Sequence, residues 1–180
     1  GQSTFTAISV SGNAVYLSGR DVVQYQVSSS GSVPISGIGS TLYGSSAAAQ
    51  ALRTLISTVP SSNALQQAHV AVTQRSITAD TTLRSALAGS PPPATVFPAT
   101  GLARQLQMVS RIIAARQALG ARRQVFFVSL GGFDHHDSLL ANPPGLLTQV
   151  ADAMAAFYQS TVDMNIASQV TSFTASDFGR

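Results

Sequence analysis

The sequence predicts an α/β protein: a mostly parallel sheet flanked by helices, with a small β-meander near the N-terminus. Three observations carry this reading. Apolar residues recur at helical spacing in several segments, and Gln124–Leu130 (QVFFVSL) forms a compact apolar run of β-branched and aromatic residues. The chain then passes through a polar loop and a helical pattern to a second β-rich run at Val170–Thr174. Strand, loop, helix and strand in that order mark a parallel pair with a crossover helix, so both polar loops should emerge on one sheet edge, where open α/β folds keep their ligands.

The elements follow in chain order. Thr4–Val10, Ala14–Leu17 and Asp21–Val27 are rich in β-formers and are separated by Ser11-Gly12-Asn13 and Ser18-Gly19-Arg20, which predicts short strands in a meander. Ser28–Ser40 is a Ser/Gly-rich connector, read as a loop. From Ser45 the spacing of Ala48, Leu52, Leu55 and Ile56 predicts a helix up to Pro60. Ser62-Asn63 can cap a second helix that runs towards Leu87 and is stopped by Gly89 and Pro91-Pro92-Pro93. Leu102, Leu106, Val109 and Ile113 form the apolar stripe of a third helix ending near Gly120.

Gln124–Leu130 reads as a strand buried on both faces. Gly131-Gly132 ends it, and Pro144 fits the first turn of a helix over Leu146–Asp163, with Leu147, Val150, Met154 and Phe157 on one face. Val125, Phe127, Leu106, Ile113, Val150, Met154 and Phe157 are expected in one core, with Val170–Thr174 parallel to the first strand. The whole is read as a single partial α/β domain: a β-rich segment over 1–40, a helical segment over 41–90, and a helix plus βαβ core over 101–180.

Composition narrows the function classes. Charged residues are only 9%, against roughly 25% in ordinary soluble chains, so Ser, Thr, Ala, Gln and Gly fill the surface. All ten basic residues are Arg and all seven acidic ones Asp; the arginines are scattered, which argues against nucleic acid as a partner. Cysteine is absent, so thiol catalysis and thiolate metal sites are excluded. No apolar stretch approaches the roughly 20 residues of a membrane span, and the N-terminus lacks the pattern of a signal peptide. Neither a Gly-x-Ser-x-Gly elbow nor a Gly-rich nucleotide loop occurs.

The loop Asp134-His135-His136-Asp137 concentrates two of the three histidines directly after the apolar strand. Carboxylate and imidazole ligands converging from a rigid base can hold a divalent cation, and two preceding glycines let the backbone turn sharply. A strand-to-helix turn would use the same aspartates to cap backbone N–H groups. Asp177, at the end of the next β-rich run, either supplies a third carboxylate on the same edge or acts as a turn residue. His69 lies in a helical pattern and reads as a partly buried structural histidine.

Three stretches, Leu102–Arg116, Gln124–Asp137 and Thr174–Arg180, together with Ile8–Asn13 and Leu17–Arg20, resemble the bacterial domain-of-unknown-function family 1501. The resemblance implies an alkaline-phosphatase-like fold, twin-arginine export to the periplasm or beyond, and a superfamily that hydrolyses phosphate or sulfate esters with divalent metals. The family's usual Gly-Gly-aromatic-Asp-Thr-His matches here with His135 in place of Thr, and its Ser-Asp-Phe-Gly-Arg motif matches Ser176–Arg180. The resemblance thus implies Asp134, His136 and Asp177 as ligands of Zn, Mg, Mn or Ca, with His135 and Asp137 as further ligands or in the surrounding layer.

The family's Asp-bearing Gly-rich start and its Asp-His-Gly segment have no counterpart here, so the chain is expected to be a fragment, inactive in isolation, with no assignable nucleophile. Two functions follow: a metal-dependent hydrolase acting on a small ester substrate, or a non-catalytic exported protein that keeps the fold for binding or surface assembly.

Overall fold

The computed structural model describes residues 4–58, 63–134 and 143–176. Four short strands, β1 (Ala7–Ser9), β2 (Tyr25–Ser28), β3 (Gly31–Ser32) and β4 (Val125–Phe127), form one sheet in the order β3-β2-β1-β4. Among the described residues four helices accompany it: α1 (Ser46–Ser57), α2 (Ala64–Gly89), α3 (Gly101–Ala114) and α4 (Pro143–Asp163).

The sheet is mixed. β1 pairs in parallel with β2 (Ile8 with Tyr25) and with β4 (Ile8 with Phe126), and only β2 and β3 are antiparallel. The expected N-terminal meander is therefore corrected. Ala14–Leu17 does not pair as a strand: Val15–Leu17 is a 3₁₀ turn within the crossover from β1 to β2. Two features hold it there. Gln24 accepts from the Ala14 N–H (2.9 Å) and donates to Asn13 Oδ1 (2.8 Å), while Ala14 and Leu17 bury themselves against Ala7. Covering the back of the sheet satisfies these apolar residues, so no strand ladder is needed from them. The Ser28–Ser40 connector also carries structure: β3 lies in it, and Arg53 donates to the Ile38 carbonyl (2.9 Å).

Side-chain alternation along the strands divides the interior in two. Ile8, Tyr25, Phe126, Val128 and Leu130 join the main core, built with Leu83 of α2, Ile112 of α3 and Phe157 of α4. The opposite face carries Ala7 and Phe127 under the crossover, with the Tyr16 and Phe127 rings stacked at 6.0 Å. This corrects the expected core. Leu106, Ile113 and Phe157 belong to it and Val150 packs against it, but Phe127 lies in the smaller cluster and Val125 is 58% exposed. Met154 is half-buried on α4. Among the described residues β4 is also the sheet's edge strand, not one buried on both faces.

The second correction concerns Val170–Thr174. After α4 and a 3₁₀ turn at Ala167–Gln169 the chain runs exposed through residues 171–176 without forming a strand, with Phe173 85% exposed. The parallel neighbour of β4 is β1, near the other end of the chain. β1 offers Ile8, which is wholly buried, and backbone bonds from Val125 N to Thr6 O (2.7 Å) and from Val10 N to Phe127 O (3.0 Å) extend the ladder.

The helices start where side chains can accept their first N–H groups. Ser45 caps α1 through Ala48 N, Asn63 caps α2 through Leu65 N and Gln66 N, and Thr100 caps α3 through Ala103 N. The α3 stripe is buried as expected, whereas α1 buries Ala49 and leaves Leu55 76% exposed. α3 and α4 pack closely, with Ala103 and Ala153 both fully buried. His69, expected partly buried, lies exposed on α2.

Candidate functional site at the carboxyl edge of the sheet

Because β2, β1 and β4 run parallel, the loops leaving their carboxyl ends share one edge. The chain goes from β1 to β2 on one side and later returns to β4 on the other, so the order reverses beside β1. Such a reversal separates the two loops and leaves a crevice between them, the usual ligand position in open α/β sheets. The segments flanking it are Val10–Asn13 after β1 and Val128–Asp134 after β4.

The segment after β4 is built to turn. Gln105 of α3 clamps Ser129 from both sides, its amide donating to the Ser129 carbonyl (3.0 Å) and accepting from the Ser129 N–H (3.0 Å). This side chain supplies the pairing that a neighbouring strand would otherwise give. Gly132 then takes φ +95°, a conformation that side chains resist, and redirects the chain to Asp134, which is exposed. Nothing in the sequence marks Gln105 for this part, since its partner lies 24 positions away.

After β1, Ser9 is fully buried and accepts weakly from Ser11 N (3.4 Å), while Ser11 Oγ is buried without a hydrogen-bond partner among the described residues. The sequence reading places Ser9 in the β-rich segment Thr4–Val10 and Ser11 in the turn after it, and gives neither a part in the site. The structure makes them the neighbours of the β4 loop, in the place expected for residues following Val170–Thr174.

Of the sequence-derived ligands, Asp134 is described. His135, His136, Asp137 and Asp177 lie outside the described residues. Among the described residues no three His or Asp side chains converge on one point. The donor chemistry of the five, carboxylate oxygen and imidazole nitrogen, fits Zn, Mg or Mn, and the carboxylates alone suit Ca.

Among the described residues two titratable groups elsewhere are shifted. The Tyr25 phenol is pushed up to about 12 by burial, reinforced by the nearby Asp80 carboxylate. The Asp163 carboxyl is lowered by hydrogen bonds from Thr95, which ties the loop before α3 to the end of α4, and from Gln159 one turn earlier on α4.

The architecture defines an α/β protein whose parallel strands β2, β1 and β4 deliver polar loops to one edge, with no helix among the described residues long and apolar enough to cross a membrane. Residues 22–180 match the family described as protein of unknown function (DUF1501), and the chain belongs to that family. Neither the curated proteins nor the solved structures contain a match to it.

Proposed function

We propose that this chain carries part of the divalent-metal site of an exported hydrolase acting on phosphate or sulfate esters, with Asp134, His136 and Asp177 as the metal ligands. The observation that carries the reading is the position of Asp134, just past a glycine-enabled turn at the carboxyl edge and beside the reversal of strand order. His136 follows two residues later in the sequence. The motif resemblance selects Asp134, His136 and Asp177 without reference to the sheet topology.

A divalent ion held there would neutralise charge on the oxygens of a bound ester. The chain's own contribution is to hold and aim the ligands: Gln105 fixes the base of the loop, and Gly132 sets its direction. Export belongs to the same proposal and rests on the family resemblance, with the lysine-free, weakly charged composition as support. No nucleophile is assigned, so the chain alone should bind metal without turnover.

Calorimetric titration with Zn²⁺ and Mn²⁺ tests the site. Binding should weaken at least about tenfold, roughly 1.4 kcal/mol, in Asp134→Ala, His136→Ala and Asp177→Ala, and should be unchanged in His69→Ala. Failure of the wild-type chain to bind either ion, or equal binding by the ligand variants, would defeat the proposal. Turnover of an aryl phosphate or sulfate that is lost in Asp134→Ala would instead show that the site is catalytically complete.

A further inference from the structure

At the other end of the sheet, away from β4, a groove of about 380 Å³ opens between the β2–β3 turn and helices α2 and α3. Its walls are Ser30, Ser32 and Pro34 on one side and Arg84, Leu87 and Arg111 on the other. Two arginines on different helices thus line one concavity, in a chain where charged residues are only 9%. We propose that this groove binds a small molecule through an oxyanion group, a sulfate, phosphate or carboxylate, held between Arg84 and Arg111.

The charge balance favours an anion. Asp80 contacts Arg84 at 3.6 Å from one turn earlier on α2, and among the described residues no acidic side chain lines the groove itself. Arg111 has no ion pair or side-chain hydrogen bond among the described residues. Asp80 therefore offsets only one of the two cations and helps to orient Arg84. A guanidinium carries five N–H donors in a fork that matches a planar or tetrahedral oxyanion, so both arginines retain donors for a ligand.

The opposite wall is fixed before any ligand arrives. Ser28 Oγ bonds Ser30 Oγ (2.8 Å), donates to the Gly31 carbonyl (3.0 Å) and accepts from Ser30 N (3.2 Å), which locks the turn. Gly31 takes φ +128° with open space where a Cβ would stand, so nothing crowds the groove at that point. Leu87 packs against the main core and, with Pro34, offers apolar contact to the remainder of the ligand. The volume falls in the range of about 300–1,000 Å³ that small-molecule sites occupy.

This site is separate from the one at Asp134, and the test distinguishes them. The backbone amide resonances of Ser30, Gly31 and Ser32 are followed by NMR in titrations with sodium sulfate, phosphate and acetate at constant ionic strength, with chloride as the reference. Saturable shifts in the millimolar range are expected, with Arg111→Gln and Arg84→Gln each weakening the response at least about fivefold. Arg104→Gln and Asp134→Ala should leave it unchanged. Preference for sulfate and phosphate over acetate would identify a tetrahedral group as the ligand, and the reverse order a carboxylate. Equal responses to chloride, or shifts that persist undiminished in both arginine variants, would overturn the proposal. The unshifted spectrum of each variant away from the groove establishes that it is folded.

Discussion

Ser110 Oγ donates to Ser160 Oγ at 2.9 Å across the α3–α4 interface, and neither side chain has any exposed surface. Ser160 in turn donates to the Phe157 carbonyl at 2.7 Å, so the two hydroxyls form a directed chain that ends on its own helix. Removing the two ends of this relay should therefore have unequal effects. Ser110→Ala loses one donor and should cost about 0.5–1.5 kcal/mol, whereas Ser160→Ala strands a buried hydroxyl and should cost about 1–3 kcal/mol. The double variant should cost less than the sum of the two, because the stranded group is gone. Urea unfolding of the three variants measures this, and equal single-variant costs would contradict the direction of the relay.

The loop leading to Asp134 depends on one glycine more than on its neighbour. Gly132→Ala forces a side chain into φ +95° and should cost about 1–2 kcal/mol. Gly131 carries no such angle and has open space around it, so Gly131→Ala should be close to neutral. Thermal unfolding of the pair separates a backbone requirement from a packing one.

The two faces of the sheet should respond differently to truncation. Ile112→Ala removes a fully buried side chain from the main core and should cost about 2–5 kcal/mol. Phe127→Ala acts on the small back cluster and on the stack with Tyr16, so its cost should fall below the roughly 3–5 kcal/mol typical of a ring enclosed on all sides. Denaturant midpoints for both variants check the order.

Tyr25 makes stability sensitive to alkaline pH. Its phenol titrates at about 12 in the folded chain against 10.0 ordinarily, because burial and Asp80 disfavour the phenolate. The unfolded chain therefore loses this proton first. The contribution is fully present below pH 10 and is lost as pH rises from 10 towards 12. Stability should decline over that window in the wild type and less steeply in Tyr25→Phe, with tyrosinate absorbance reporting the late titration directly.

Local signals were legible in the sequence, and long-range choices were not. Asn63 as a cap and the Leu102–Ile113 stripe depend on residues within a few positions, and both appear as read. The apolar run at Gln124–Leu130 correctly indicated a strand, but its alternation could be divided either way. The face carrying Phe126, Val128 and Leu130 meets the helices, while Val125 and Phe127 face the other side. Which strand lies beside β4 is a competition between β-rich segments across the chain, and β1 takes the place expected for Val170–Thr174. At the candidate site, the need for glycine at the turn was readable from Gly131-Gly132, whereas the Gln105 clamp was not, because it joins residues from separate elements.

The pairing of β1 with β4 also dictates the order in which the molecule can assemble. Gln124 reaches back to the Phe5 carbonyl across 119 positions, and the adjoining ladder spans a similar separation. Loop closure on that scale must precede its reward, which slows folding relative to local helix contacts. During synthesis β1 can gain β2 early, yet its other edge stays open until β4 emerges. Over that interval Ala7–Ser9 presents an unpaired edge with apolar side chains, a template on which another nascent chain can add a strand. The segment buried most completely in the finished sheet is thus the one most in need of protection before the sheet is finished.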